Sequence, residues 1–85
     1  MAFVALNDVW AMLKECAPTF TATETPHHYC VRFNQHTYPT LPLGEHGPRH
    51  NPEIKRGHVR HMARQLKLDP KCVNRFFAGL LADDN

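Results

Sequence analysis

Seven prolines, at positions 18, 26, 39, 42, 48, 52 and 70, divide this chain into short pieces. A proline inside a helix removes a hydrogen bond and clashes with the preceding turn, and inside a sheet it is confined to edges and bulges. The 85 residues suit one thin core in a two-layer arrangement, so residues 1–85 are expected to form a single domain. A hydrophobic content of 42% argues for a folded module rather than a disordered one.

The pieces carry distinct periods. Val9, Met12, Leu13 and Cys16 recur at helical spacing, with Trp10 alongside, Asn7 as the expected cap, Asp8 at the positive end of the dipole and Pro18 as the stop. Residues 19–24 alternate Phe20 and Ala22 with threonines, a short strand. In residues 27–33, Tyr29, Val31 and Phe33 share one parity while His28, Cys30 and Arg32 share the other. That is a strand covered on one face. A turn at residues 34–36 leads to a second strand over 37–43, and Pro39 and Pro42 assign it to a sheet edge.

Residues 44–52 hold too much glycine and proline for regular structure. Asn51-Pro52-Glu53 is a helix-start signature, with the main helix beginning near Gly57 because glycine inside it would cost about 1 kcal/mol. Val59, Met62, Ala63 and Leu66 form its buried stripe, and Arg56, Arg60, Arg64 and Lys67 an adjacent basic stripe expected to lie in water. Asp69-Pro70 opens a third helix whose apolar face is Val73, Phe76, Phe77 and Leu80. The expected fold is α+β in the order α-β-β-β-α-α, a three-stranded antiparallel sheet with helices on one face.

A net charge of +2 hides an asymmetry. Residues 1–45 hold two Lys/Arg and four Asp/Glu, residues 46–82 hold eight and two, and Asp83-Asp84 follow. The second half is the cationic face. Three cysteines, Cys16, Cys30 and Cys72, are an odd number without repeated spacing, which argues against a disulfide framework and for a reducing, cytoplasmic setting. The apolar start lacks a basic region and meets Asn7-Asp8 too soon for a signal peptide, and no run is long enough to span a membrane. His46 and His50 share a loop, but neither Cys-x-x-Cys nor His-Glu-x-x-His occurs, so no metal or other cofactor is expected.

The adjacent histidines His27 and His28 carry the sharpest chemical suggestion. An imidazole exchanges protons near neutrality, and RNA cleavage needs a base for the 2′-hydroxyl, an acid for the leaving 5′-oxygen and cations around the phosphorane. The competing reading is a pair of half-exposed strand residues bonded to water. His28, Lys55, Arg56, Arg60, Arg64 and Lys67 are the candidate RNA contacts; cations on phosphates position a nucleic acid without reading its bases.

Three features in order resemble the HicA (YcfA-like) family of mRNA-interferase toxins: the histidine pair at a strand start, Pro42 ending the next strand, and Glu53-Ile54-Lys55-Arg56-Gly57 leading into an amphipathic helix. The resemblance spans roughly residues 7–68. It implies a fold like a double-stranded RNA-binding domain, a metal-independent endoribonuclease of a toxin-antitoxin pair acting on mRNA, His27 as the catalytic histidine, and a HicB-like antitoxin as partner. One departure is plain: family members usually place a glycine and a small or basic residue before the histidine, where this chain has Thr25-Pro26. The alternative function is a non-catalytic RNA-binding or regulatory module on the same fold.

Overall fold

The computed structural model describes residues 3–45 and 47–81; His46 of the histidine loop and the acidic tail Asp83-Asp84 lie outside the described residues. The elements run β1 (Phe3–Ala5), α1 (Leu6–Cys16), β2 (Thr21–Glu24), β3 (His28–Phe33), β4 (His36–Pro42), β5 (Glu53–Lys55), α2 (Arg56–Gln65) and α3 (Pro70–Phe76). The fold is α+β, with the expected three-stranded antiparallel sheet in the order β2-β3-β4 and three helices. A second, two-stranded ladder, β1-β5, was not foreseen.

The alternation in β3 is realised. Val31 is fully buried beside an exposed Arg32, and across β4 Leu41 is buried beside an exposed Thr40. These two residues join Val9, Met12 and Leu13 of α1 and Val59, Met62 and Ala63 of α2 in one apolar cluster. β4 is an edge strand, as its prolines require. Between the pairs Tyr29↔Leu41 and Val31↔Tyr38 the register slips by one residue, so the Pro39-Thr40 stretch forms a bulge where a missing N–H does no harm. Asn34 and Gln35 both take positive φ, 49° and 70°, which is the two-residue hairpin turn whose twist matches the flanking strands.

The helix starts need correction. Asn7 does not cap α1; Ala5 occupies that position and gives no side-chain bond. Instead Leu6 N–H donates to the Pro52 carbonyl at 2.8 Å, and Asn7 N–H to Asn51 Oδ1 at 3.3 Å. Asn51 therefore serves the N-terminus of a distant helix, and the segment after it enters strand β5, pairing Val4 with a fully buried Ile54. The local capping signature loses to the ladder because the ladder also buries Ile54.

The end of α2 is a Schellman turn: Leu68 N–H donates to the Ala63 carbonyl at 3.0 Å and Lys67 N–H to that of Arg64 at 3.1 Å, with Lys67 in the left-handed region at φ 59°. Leu68 is buried behind it. Asp69 caps α3 as expected, accepting from Lys71 N–H at 3.1 Å. That helix ends sooner than its pattern suggested. Phe76 is 38% exposed, while Phe77 and Leu80 reach the core from the turn that follows.

Cys16 and Cys72 form a disulfide between α1 and α3, leaving Cys30 free. This corrects the expectation of no disulfide and removes the cysteine count as an argument for a reducing compartment; an odd count leaves one thiol over and says nothing against a pair. Closing a sequence separation of 56 residues restricts the unfolded chain by about 4 kcal/mol on the chain-entropy account. A Cys16→Ser/Cys72→Ser variant should lose about 2–4 kcal/mol in urea unfolding, and a thiol reductant should destabilise the wild type alone. Equal midpoints for the two proteins would show that the bond adds nothing.

Tyr29 gives a second stability prediction. Burial, and then the Glu24 carboxylate, raise its phenol above the ordinary value of 10.0. The native state thus keeps a proton that the unfolded chain releases, so this contribution is full below about pH 10 and is lost as pH rises through the raised value. Tyr29→Phe should flatten the alkaline decline in stability, measured as urea midpoints from about pH 9 to about pH 11.

Candidate functional site

The turn between β2 and β3 displays the histidine pair. Thr25 N–H and Thr25 Oγ1 both donate to the His28 carbonyl, each at 2.8 Å, and His28 N–H donates to Thr25 Oγ1 at 3.1 Å. Pro26 and His27 are thereby left at the tip of a closed loop. Proline at the first tip position pre-sets the backbone angle such a turn needs, and neither tip residue takes a positive φ. Thr25-Pro26 is thus a coherent turn of its own, and the glycine-based alternative would solve the same corner differently.

His27 is exposed at the tip, and His28 is half-buried at the start of β3, paired with Pro42. Their ring centroids are 6.5 Å apart with planes inclined at 69°. β3 is the central strand, so His28 is anchored in the middle of the sheet while His27 stands just before it in the turn.

The basic residues divide into groups. Arg56, Arg60 and Arg64 follow one another at four-residue spacing on α2, as the sequence indicates. Arg56 and Arg60 each bond to the chain's own backbone. Arg56 Nη2 donates to the Ala78 carbonyl at 2.7 Å and Arg60 Nε to that of Leu80 at 3.2 Å. Both side chains hold the turn after α3, which is also fastened by Leu81 N–H donating to Asn74 Oδ1 at 2.8 Å. The expectation of a fully solvated stripe is corrected accordingly. Arg64 is exposed, and Lys67 lies beyond the helix in the Schellman turn rather than on the stripe. Lys55 is exposed on β5, its N–H donating to Glu45 Oε1 at 3.1 Å.

A feature the sequence reading missed lies at the start of α2. His58 and His61, one turn apart, line a hollow of about 430 Å³ with Phe3, Lys55 and Gly57. His58 Nε2 sits 3.7 Å from Glu45 Oε1, an ion pair whenever the imidazole is protonated. The only available signal was helical spacing of two histidines, which is too common to stand out. Among the described residues no three His, Cys, Asp or Glu side chains gather as metal ligands, and no helix is long and apolar enough to cross a membrane.

No family model, curated protein or solved structure matches the chain.

The clamp on the C-terminal turn can be weighed directly. A guanidinium bonded to a partly buried carbonyl stabilises by about 1–2 kcal/mol, whereas an exposed lysine contributes within about 0.5 kcal/mol. Arg60→Gln should therefore lower unfolding stability by about 1 kcal/mol and Lys67→Gln hardly at all. Matching losses would mean that Arg60 does not support the fold.

Proposed function

We propose that the chain is a HicA-like toxin, a metal-independent endoribonuclease acting on mRNA, with His27 as the proton-transfer residue. The observation that carries this is the placement of His27: exposed, at the tip of a closed turn, directly before the central strand. The order α1, β2, β3, β4, then β5 and α2, also supports a fold like a double-stranded RNA-binding domain, and such domains bind RNA through shape and phosphate contacts.

On this reading His27 accepts the 2′-hydroxyl proton, the 2′-oxygen bonds to the adjoining phosphorus as the P–O5′ bond breaks, and the leaving 5′-oxygen takes a proton from solvent water while the proton held by His27 returns to solvent. The products are a cyclic phosphate and a free 5′-hydroxyl. His28, Lys55, Arg56, Arg60, Arg64 and Lys67 hold the strand by its phosphates. Because Arg56 and Arg60 already spend hydrogen bonds on Ala78 and Leu80, they act chiefly through their charge, which those carbonyls do not neutralise. A HicB-like antitoxin would cover the histidine turn. Action on mRNA puts the protein in the cytoplasm; the Cys16–Cys72 disulfide is the feature that points the other way, since thiol pools there keep cysteines reduced.

Thr25-Pro26 favours a second reading, a non-catalytic RNA-binding module. Proline has no N–H to offer a phosphate, so a backbone contact that a glycine turn could make beside the histidine is lost.

The wild type, Pro26→Gly and His27→Ala should be compared on one RNA by gel, with binding measured in parallel. The toxin reading expects cleavage by the wild type, unchanged by chelators, loss of at least about a hundredfold in rate for His27→Ala, and growth arrest on overexpression that His27→Ala relieves. Cleavage by Pro26→Gly alone would mark a toxin disabled at its turn. Binding by all three without cleavage would leave the binding module.

A further inference from the structure

Three aromatic rings meet beside the edge strand, away from the histidines of α2. Trp10 and Lys14 lie one turn apart on α1 and so share a face. Phe20 N–H donates to the Ala17 carbonyl at 2.8 Å, closing the turn that brings the chain back from α1. The Phe20 ring then lies parallel to Trp10 within 9°, at a centroid distance of 6.2 Å. Tyr29 meets Trp10 edge-on, at 5.0 Å and 88°. All three rings are only partly buried against the core.

The space between them exists because of Ala22. It pairs with Val31, so it has the parity of the core-facing side, where a larger residue would fill the gap. What remains is a cleft of about 480 Å³ lined by Trp10, Lys14, Phe20, Ala22 and Tyr29. β2 is a sheet edge with every residue exposed, so among the described residues no further strand covers it.

We propose that this cleft takes one unpaired nucleobase, with the Lys14 ammonium on the phosphate beside it, and that the base belongs to a bound RNA strand. The inference rests on the RNA reading given above. Flat π-faces accept any base by stacking, and a cation at the rim adds the phosphate contact. The occupant is a base with a phosphate because the Lys14 ammonium at the rim complements a phosphate and offers nothing to a purely apolar side chain. Tyr29, which forms one wall, follows His27 by two residues, about 7 Å of extended chain. A base held here keeps its strand beside the histidine turn, and it supplies a preference for single-stranded RNA that cations on phosphates alone do not.

Trp10 is the only tryptophan, so its emission reports on this cleft alone. The full chain is titrated with a labelled single-stranded RNA hexamer, the same sequence as a duplex, and a free nucleoside monophosphate; anisotropy of the label reads RNA binding and Trp10 emission reads the cleft. The hexamer should quench Trp10 and bind more tightly than the duplex. Ala22→Leu, on an exposed edge where folding is checked by circular dichroism, should abolish the quench and weaken hexamer binding about tenfold. Lys14→Gln should retain the quench but flatten the dependence on salt.

Hexamer binding by anisotropy with unchanged Trp10 emission, or an Ala22→Leu protein that binds and quenches like the wild type, would overturn the cleft and leave RNA binding standing. Quenching by the mononucleotide with none by RNA would also overturn it, assigning the cleft to a small nucleotide. No anisotropy change with either RNA would remove the RNA reading together with the cleft.

Discussion

Both long helices of this protein begin where a three-residue ladder ends. Val4 and the fully buried Ile54 sit opposite one another in β1 and β5, α1 follows directly at Leu6, and α2 follows directly at Arg56. Each helix has its first residue fixed by the same pairing, without a side-chain cap of its own. The ladder therefore sets which faces of α1 and α2 meet Val31 and Leu41 of the sheet. The direction of the arginines on α2 follows from it, as does the meeting of Arg56 and Arg60 with the turn after α3.

What could be read from the chain depended on the range over which each signal acts. The parity of Tyr29, Val31 and Phe33 is a local record of a one-sided strand, and it is expressed as written. Pro39 and Pro42 identified an edge because the missing N–H is a property of the residue itself. β1 and β5 were not legible, since three residues contain no period. Asn51-Pro52-Glu53 carries every local sign of a helix start, yet Asn51 caps α1 and Glu53 enters a strand, because partners 44 residues away offer hydrogen bonds together with burial of Ile54. The Cys16 to Cys72 bond is likewise a property of packing.

The candidate site shows the same division. That His27 and His28 open a strand could be read from the residues; that Thr25 closes the loop behind them with three hydrogen bonds could not. The helical spacing of Arg56, Arg60 and Arg64 gave their common face correctly. It gave no information about what lies across from that face, and two of the three turn out to bind carbonyls of the chain's own C-terminal turn. Lys67 left the stripe because a Schellman turn needs its backbone in the left-handed region, a demand set by the burial of Leu68 one residue later. Trp10, noted only as lying beside an apolar stripe, gained its interest from Ala22, a residue made notable by what it leaves empty.

The Thr25 to His28 turn closes on itself, with all three of its bonds running between its first and last residues. No hydrogen bond of Pro26 or His27 takes part in that closure; Pro26 contributes only its fixed backbone angle. The two tip residues are therefore open to substitution at little cost to the fold, and whatever they display is carried by a turn whose closure rests on Thr25 and the His28 backbone alone.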